Sequence, residues 1–156
     1  MKKSILKLLR STAFVAMILF AFTFIQTYWS MGKLADQTSS GCLDCSFIYD
    51  ACFISLCNAI ILTLLFLLLA KIKKNRYKIA IEFVLLTSFW FFWNYSIFVD
   101  RESSWSTYSF DEEIYYTVYL SLLPILVTAT LALMTIHHQV IRSKFRGQKK
   151  VTSTTP

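Results

Sequence analysis

Residues 71–78 read KIKKNRYK and decide the fold of this chain. Five of these eight side chains are basic, namely Lys71, Lys73, Lys74, Arg76 and Lys78. Apolar segments flank the stretch on both sides, and each is long enough to cross a bilayer. Moving so dense a cationic loop across a membrane is costly, and the membrane potential opposes it. The stretch is therefore expected to stay in the cytoplasm and to set the orientation of every other segment.

The composition is typical of a membrane protein. Hydrophobic residues make up 56% of the 156 residues and charged residues 16%, whereas a soluble domain usually has about 45–50% and about 25%. The apolar residues form four blocks, which predict membrane spans at about 11–31, 47–70, 79–99 and 114–136. The predicted fold class is an all-α membrane protein, a bundle of four transmembrane helices with both termini cytoplasmic.

The distribution of charge agrees with this orientation. With both termini inside, the cytoplasmic side holds all 16 basic residues except Lys33 and Arg101, and the outer side holds all nine acidic residues except Glu82. The reversed orientation would translocate three basic clusters at once. We therefore predict a multi-pass protein of the cell inner membrane, with a transmembrane domain at 1–141 and a basic cytoplasmic tail at 142–156.

The first apolar block has two interpretations. A cleaved signal peptide has a short apolar core followed by a small-x-small cleavage site. Here the uncharged run extends from Ser11 to Met31, contains Tyr28 and Trp29 near its end, and precedes no A-x-A pattern. Because tyrosine and tryptophan are enriched at membrane–water interfaces, the block favours an uncleaved first span.

A C-x-x-C motif lies in the first predicted outer loop, at Cys42 and Cys45. Such a pair can oxidise in a bacterial envelope or a secretory lumen, and it can support disulfide exchange. We predict these two residues as a possible disulfide or redox pair, and a structural clip or two free thiols are the alternatives. No metal site is predicted, because His137 and His138 belong to the opposite side of the membrane.

Four spans with a C-x-x-C after the first resemble the quinone-linked thiol oxidase family (DsbB-like). The resemblance implies a thiol–disulfide oxidoreductase that acts through Cys42 and Cys45. That family also has a second cysteine pair in the other outer loop and an arginine soon after its C-x-x-C. Here residues 103–111 contain no cysteine and residues 46–50 contain no arginine. An oxidoreductase is therefore kept as the alternative function.

Few polar side chains fall within the predicted spans. Asn58 and Asn94 are uncharged, and we predict that each makes an interhelical hydrogen bond rather than binding a substrate. The spans have no central carboxylate, which an ion-coupled transporter normally needs, and the chain has no H-E-x-x-H, G-x-S-x-G or phosphate-loop motif. We predict a non-enzymatic protein without a cofactor, and keep a small channel or transporter subunit as a second alternative.

Contact sites are predicted outside the spans. The basic loop and tail are expected to contact lipid or a cytoplasmic protein through Lys71, Lys73, Lys74, Arg76, Lys78, Arg142, Lys144 and Arg146. Trp93, Trp105 and Tyr108 are expected to contact a partner on the outer face. The predicted partners are the bilayer, a second copy of the chain or a lateral membrane partner. Nucleic acid is not expected, because the net charge of +7 is segregated by side of the membrane.

The second span ends in the lysine-rich turn LAKIKK at residues 69–74. This turn and the four-span plan are similar to the immunity proteins against pore-forming colicins, and the resemblance implies binding a toxin's helical hairpin within the bilayer and blocking its opening. The plan also resembles the membrane subunit of the Kiwa anti-phage system, which implies sensing envelope disturbance and signalling to a cytoplasmic partner. From both resemblances we expect a role in defence or immunity.

Overall fold

The computed structural model describes the backbone of residues 2–152 and the side chains of residues 9–138. Over that backbone the chain forms four long helices and no strand. The helices are α1 (Lys2–Met31), α2 (Phe47–Leu69), α3 (Asn75–Phe98) and α4 (Phe110–Thr152). A 3₁₀ turn at Gly32–Leu34 follows α1, and a π-helical turn at Val99–Ser103 follows α3. The predicted all-α bundle of four helices is confirmed.

α2 matches its predicted span at 47–70, whereas α1, α3 and α4 extend beyond the apolar blocks that predicted them. α1 begins within the basic N-terminal segment, and α3 begins at Asn75, inside the stretch that was expected to be a loop. α4 runs without interruption through the start of the predicted tail at 142–156. An established helix adds residues at little cost, so its ends need not match the ends of the apolar run. The predicted contact residues Arg142, Lys144 and Arg146 lie outside the described side chains.

Local sequence signals fix several helix ends. Ser46 precedes α2, and its hydroxyl accepts a hydrogen bond from the backbone N–H of Tyr49. Ser109 and Glu112 form a reciprocal capping box at the start of α4, because each side chain accepts a hydrogen bond from the other residue's backbone N–H. The residues just before the predicted span at 114–136, which were expected to belong to the outer loop, are therefore an organised helix start.

α1 is the central helix of the bundle. It packs extensively against both α2 and α4, while α3 packs mainly against α4. α2 and α3 are joined by a short connection but share a smaller contact. The helices of each consecutive pair, α1 with α2 and α3 with α4, thus pack against each other. The contact between α1 and α4 joins the two pairs.

The interior of the bundle has three layers. The lower cluster lies toward residues 71–78, which we call the lysine-bearing end, and includes Leu19, Leu62, Leu86, Ala129, Ala132 and Leu133. The upper cluster lies toward residues 42–45, the cysteine-bearing end, and includes Met31, Phe47, Ile97 and Phe98. Between them is a buried polar layer formed by Thr23, Gln26, Thr27, Ser30, Ser55, Asn58, Asn94, Thr117 and Ser121.

The outside of the bundle is more apolar than this middle layer. Leu64, Leu68, Leu123 and Met134 keep more than half of their side chains exposed, although they lie on helices of high hydropathy. All four helices are long and apolar enough to cross a membrane. Exposed aliphatic side chains around a polar interior are expected when lipid, rather than water, surrounds the helices. The chain is a four-span integral membrane protein.

Candidate functional site at the cysteine-bearing end

Residues 35–46 and 99–109 close the cysteine-bearing end of the bundle, and we call these two segments the loop cap. The first segment connects α1 to α2, and the second connects α3 to α4. The second segment begins with the π-helical turn, in which the N–H of Ser104 bonds to the carbonyl of Val99. Turns of this kind occur frequently at functional sites.

Arg101 is the central connection of the loop cap. Its side chain is only 2% exposed, and its guanidinium lies over the ring of Phe47 at 5.4 Å from the centroid. Nη1 donates to the carbonyl of Gln37 at 2.6 Å, and Nη2 donates to the carbonyl of Cys45 at 3.1 Å. Nη2 also pairs with Asp50 Oδ2 at 2.5 Å. One cation thus joins both ends of the first loop and the start of α2.

Asp100 and Trp105 hold the middle of the same loop. Asp100 Oδ1 accepts hydrogen bonds from the hydroxyl of Ser40 at 2.8 Å and the N–H of Gly41 at 2.9 Å, and the Asp100 carbonyl accepts the N–H of Ser40. Trp105 Nε1 donates to the carbonyl of Thr38 at 2.7 Å. Two side chains of the second segment therefore hold residues 38–41 of the first segment in place.

Cys42 and Cys45 form a disulfide within this braced loop. Cys42 is exposed, and Cys45 is half-buried. These are the two cysteines that the sequence offered as a possible disulfide or redox pair, and a redox role stays a prediction. Cys52 and Cys57 lie on α2 as free thiols, exposed and half-buried respectively.

The three predicted aromatic contact residues have different surroundings. Trp105 is 57% exposed on the surface of the loop cap. Trp93 is half-buried and packs against the upper cluster. Tyr108 is half-buried against Phe98 and Tyr116, and its phenol donates a hydrogen bond to Glu102 at 3.1 Å. Trp105 is the member of this set with most surface available to a partner.

The Glu102 carboxylate also affects the ionisation of Tyr108. The hydrogen bond from the phenol to Glu102, together with partial burial, raises the pKa of Tyr108 above its usual value. The phenol donates only while it is protonated, so the contact persists to higher pH than an ordinary tyrosine would allow. The bond therefore connects Tyr108, near the end of the second loop segment, to Glu102, near its start.

The polar layer beneath the loop cap joins all four helices. Asn58 Nδ2 and Trp90 Nε1 both donate to Thr23 Oγ1, at 2.8 and 2.9 Å, so one hydroxyl connects α1, α2 and α3. Asn94 Nδ2 donates to Ser121 Oγ at 2.9 Å and connects α3 to α4. The predicted interhelical hydrogen bonds of Asn58 and Asn94 are confirmed.

The lysine-bearing end has a different chemistry. Four cations of the basic stretch, Lys71, Lys73, Lys74 and Arg76, are exposed, and Lys78 is half-buried. Below them Glu82 is only 2% exposed and lies 2.8 Å from His137 Nε2 on α4 and 3.6 Å from Lys78 Nζ. The single acidic residue of this end is thus buried against two basic partners.

Sequence reasoning missed the two charged contacts that connect separate helices, Arg101 with Asp50 and Glu82 with His137. One signal was present, since Arg101 is the single basic residue among the acids of residues 100–113. A lone cation in an acidic loop favours a specific ion pair, but its partner depends on how the two loops fold together. Over the residues whose side chains are described, no group of three His, Cys, Asp or Glu side chains could hold a metal ion.

Comparisons with family models, curated proteins and solved structures found no match for this chain.

Proposed function

We propose that this four-span protein is a non-enzymatic interaction protein of the bacterial inner membrane that acts in defence or immunity. The observation that carries the proposal is the contrast between the two ends of the bundle. One end is the cross-braced loop cap, with exposed carboxylates at Asp36 and Asp44 and, in the adjoining first turn of α4, at Asp111 and Glu112. The other end is an exposed cationic loop. Each end offers a surface for a partner on its own side of the membrane.

The braced loop cap suits recognition of a partner from outside. Because Arg101 and Asp100 already hold its first loop, little conformational entropy is lost when a partner binds. The cationic loop at residues 71–78 suits anionic lipid or an acidic cytoplasmic partner. The polar layer carries uncharged side chains, which are typical of helix–helix packing rather than acid–base chemistry. The resemblance of the plan to colicin immunity proteins and to the Kiwa membrane subunit supports the defence role.

A survival assay tests this function. Cells that produce the chain are challenged with a pore-forming toxin or with phage, and survival is compared with that of cells lacking it. We expect protection in at least one challenge. Protection should be lost when the five cations of residues 71–78 become glutamine. It should be kept when the four lysines among them become arginine and Arg76 becomes lysine. Absence of protection in both challenges would contradict the proposal.

Thiol–disulfide exchange is the second candidate, and the loop cap provides a specific observation in its favour. The Cys42–Cys45 disulfide has one exposed cysteine, and a buried arginine reaches the carbonyl of Cys45. The sequence next to the motif lacks an arginine, but the fold supplies Arg101 from the other loop. Substituting both Cys42 and Cys45 by serine separates the candidates, since exchange chemistry would be abolished whereas an interaction protein would retain its protection.

A further inference from the structure

Five buried side-chain atoms have no hydrogen-bond partner among the described side chains and backbone. Three of them are oxygens of the polar layer, Asn58 Oδ1, Asn94 Oδ1 and Thr117 Oγ1, and the other two are Thr63 Oγ1 and Trp93 Nε1. The residues of the three layer oxygens are at most 3% exposed. Asn58 and Asn94 use their NH₂ groups in interhelical bonds, so the unpaired atom of each is the acceptor. The great majority of buried polar groups in proteins are paired with protein atoms or with ordered water. Three exceptions in one layer indicate a ligand there.

The contacts between helices place these atoms close together along the bundle. Asn94 bonds to Ser121, and Thr117 lies one helical turn from Ser121 on α4. Asn58 shares the Thr23 hydroxyl with Trp90, which lies one turn from Asn94 on α3. The three residues therefore occupy about two helical turns, or about 11 Å along the axis.

The chemistry of the layer selects an uncharged ligand. The layer contains amides and hydroxyls but no carboxylate, ammonium, guanidinium or imidazole group. A lone cation or anion buried here would lack a counter-charge, which is costly in a membrane interior. The two amide oxygens require a donor, and the Thr117 hydroxyl can donate or accept. The upper and lower clusters enclose the layer at both ends, so the ligand must also be small.

We propose that the polar layer is a binding site for ordered water molecules that donate to the side-chain oxygens of Asn58 and Asn94 and pair with the Thr117 hydroxyl. Water both donates and accepts, and a buried water typically makes about three hydrogen bonds. These waters would hydrate the bundle between its two apolar clusters. This property is independent of the proposed defence role.

Water-edited solid-state NMR of the full chain in lipid bilayers tests this site. The chain contains three asparagines, Asn58, Asn75 and Asn94, so labelling asparagine with ¹⁵N gives three side-chain amide signals. Asn75 is exposed in the basic stretch and is the positive control. The methyl groups of Ala129 and Ala132, fully buried in the lower cluster, are the dry control. The variants N58L and N94L assign the two buried signals.

We expect the Asn58 and Asn94 amides to gain polarisation from water at least twofold faster than the two alanine methyl groups. If either amide rises no faster than these methyl groups, the proposal is overturned. Thr117→Val should reduce the early transfer to Asn94, while Thr130→Val, at an exposed position of the same helix, should leave it unchanged. Equal transfer to Asn94 in both variants would overturn the placement of water beside Thr117.

Discussion

Arg101 Nη2 lies 2.5 Å from Asp50 Oδ2 and connects the turn after α3 to the first turn of α2. The arginine side chain is 2% exposed, whereas the aspartate keeps 26% of its side chain exposed. The same guanidinium also donates hydrogen bonds to the carbonyls of Gln37 and Cys45. Removal of this one side chain therefore leaves an unpaired carboxylate and two carbonyls without their donor.

We predict that Arg101→Met lowers the free energy of unfolding by about 1–3 kcal/mol, because the three contacts of a buried guanidinium are lost while the partly exposed Asp50 carboxylate can be hydrated. Denaturation of the purified protein in mixed micelles measures this loss. Arg76→Met is the matched control, since Arg76 is exposed at the other end of the bundle and should cost less than about 0.5 kcal/mol. Equal losses in the two variants would show that Arg101 does not hold the loop cap.

Thr23→Val should destabilise the bundle by about 1–3 kcal/mol. Valine has nearly the shape of threonine, but it leaves the buried N–H groups of Asn58 and Trp90 without an acceptor. The same denaturation experiment measures the change. Thr130→Val is the control, because Thr130 is exposed on α4 and its hydroxyl donates to the carbonyl of Leu126 on the same helix. A Thr23 variant as stable as the Thr130 variant would argue against a shared acceptor at this position.

The Glu82–His137 contact predicts an asymmetric pair of variants. His137→Leu should cost about 2 kcal/mol, because it leaves a buried carboxylate with only the longer contact to Lys78. Glu82→Leu should cost less, since His137 and Lys78 are each about one-fifth exposed and can be hydrated. A double-mutant cycle should give a coupling energy of about 1–3 kcal/mol. Additive losses would show that the two side chains do not interact.

Reduction of the disulfide should leave the loop cap closed. The bond between Cys42 and Cys45 closes a very short loop, so chain entropy limits its contribution to about 2 kcal/mol, while Asp100 and Arg101 hold the same loop independently. Hydrogen exchange with and without a dithiol reductant measures this directly. The N–H groups of Ser40 and Gly41, which bond to Asp100, should stay protected. Their deprotection on reduction would show that the disulfide itself holds the loop.

The sequence was sufficient to predict the four helices, because each long apolar block has one stable conformation in lipid. It also led to the correct structural role for Asn58 and Asn94, since an amide in an apolar helix needs a partner on another helix. Both inferences depend on local composition and on the cost of burying a polar group.

The loop cap was not predictable in the same way. Arg101 is separated from Asp50 by 51 residues and from Gln37 by 64, and the pairing depends on the conformations of two irregular segments. The contact between Glu82 and His137 depends on α3 and α4 lying side by side, which the sequence did not establish. The start of α4 was inexact for another reason: the capping residue Ser109, rather than the limit of hydropathy, sets where this helix begins.

Membrane orientation is the most direct test of the account, because every assignment of a surface to one side depends on it. Paired reporter fusions, one active only in the cytoplasm and one active only outside it, are placed after Pro156, within residues 71–78 and within residues 35–46. We predict cytoplasmic activity at the first two sites and external activity at the third. External activity after Pro156 or within residues 71–78 would contradict the proposed orientation and the partner surfaces assigned from it.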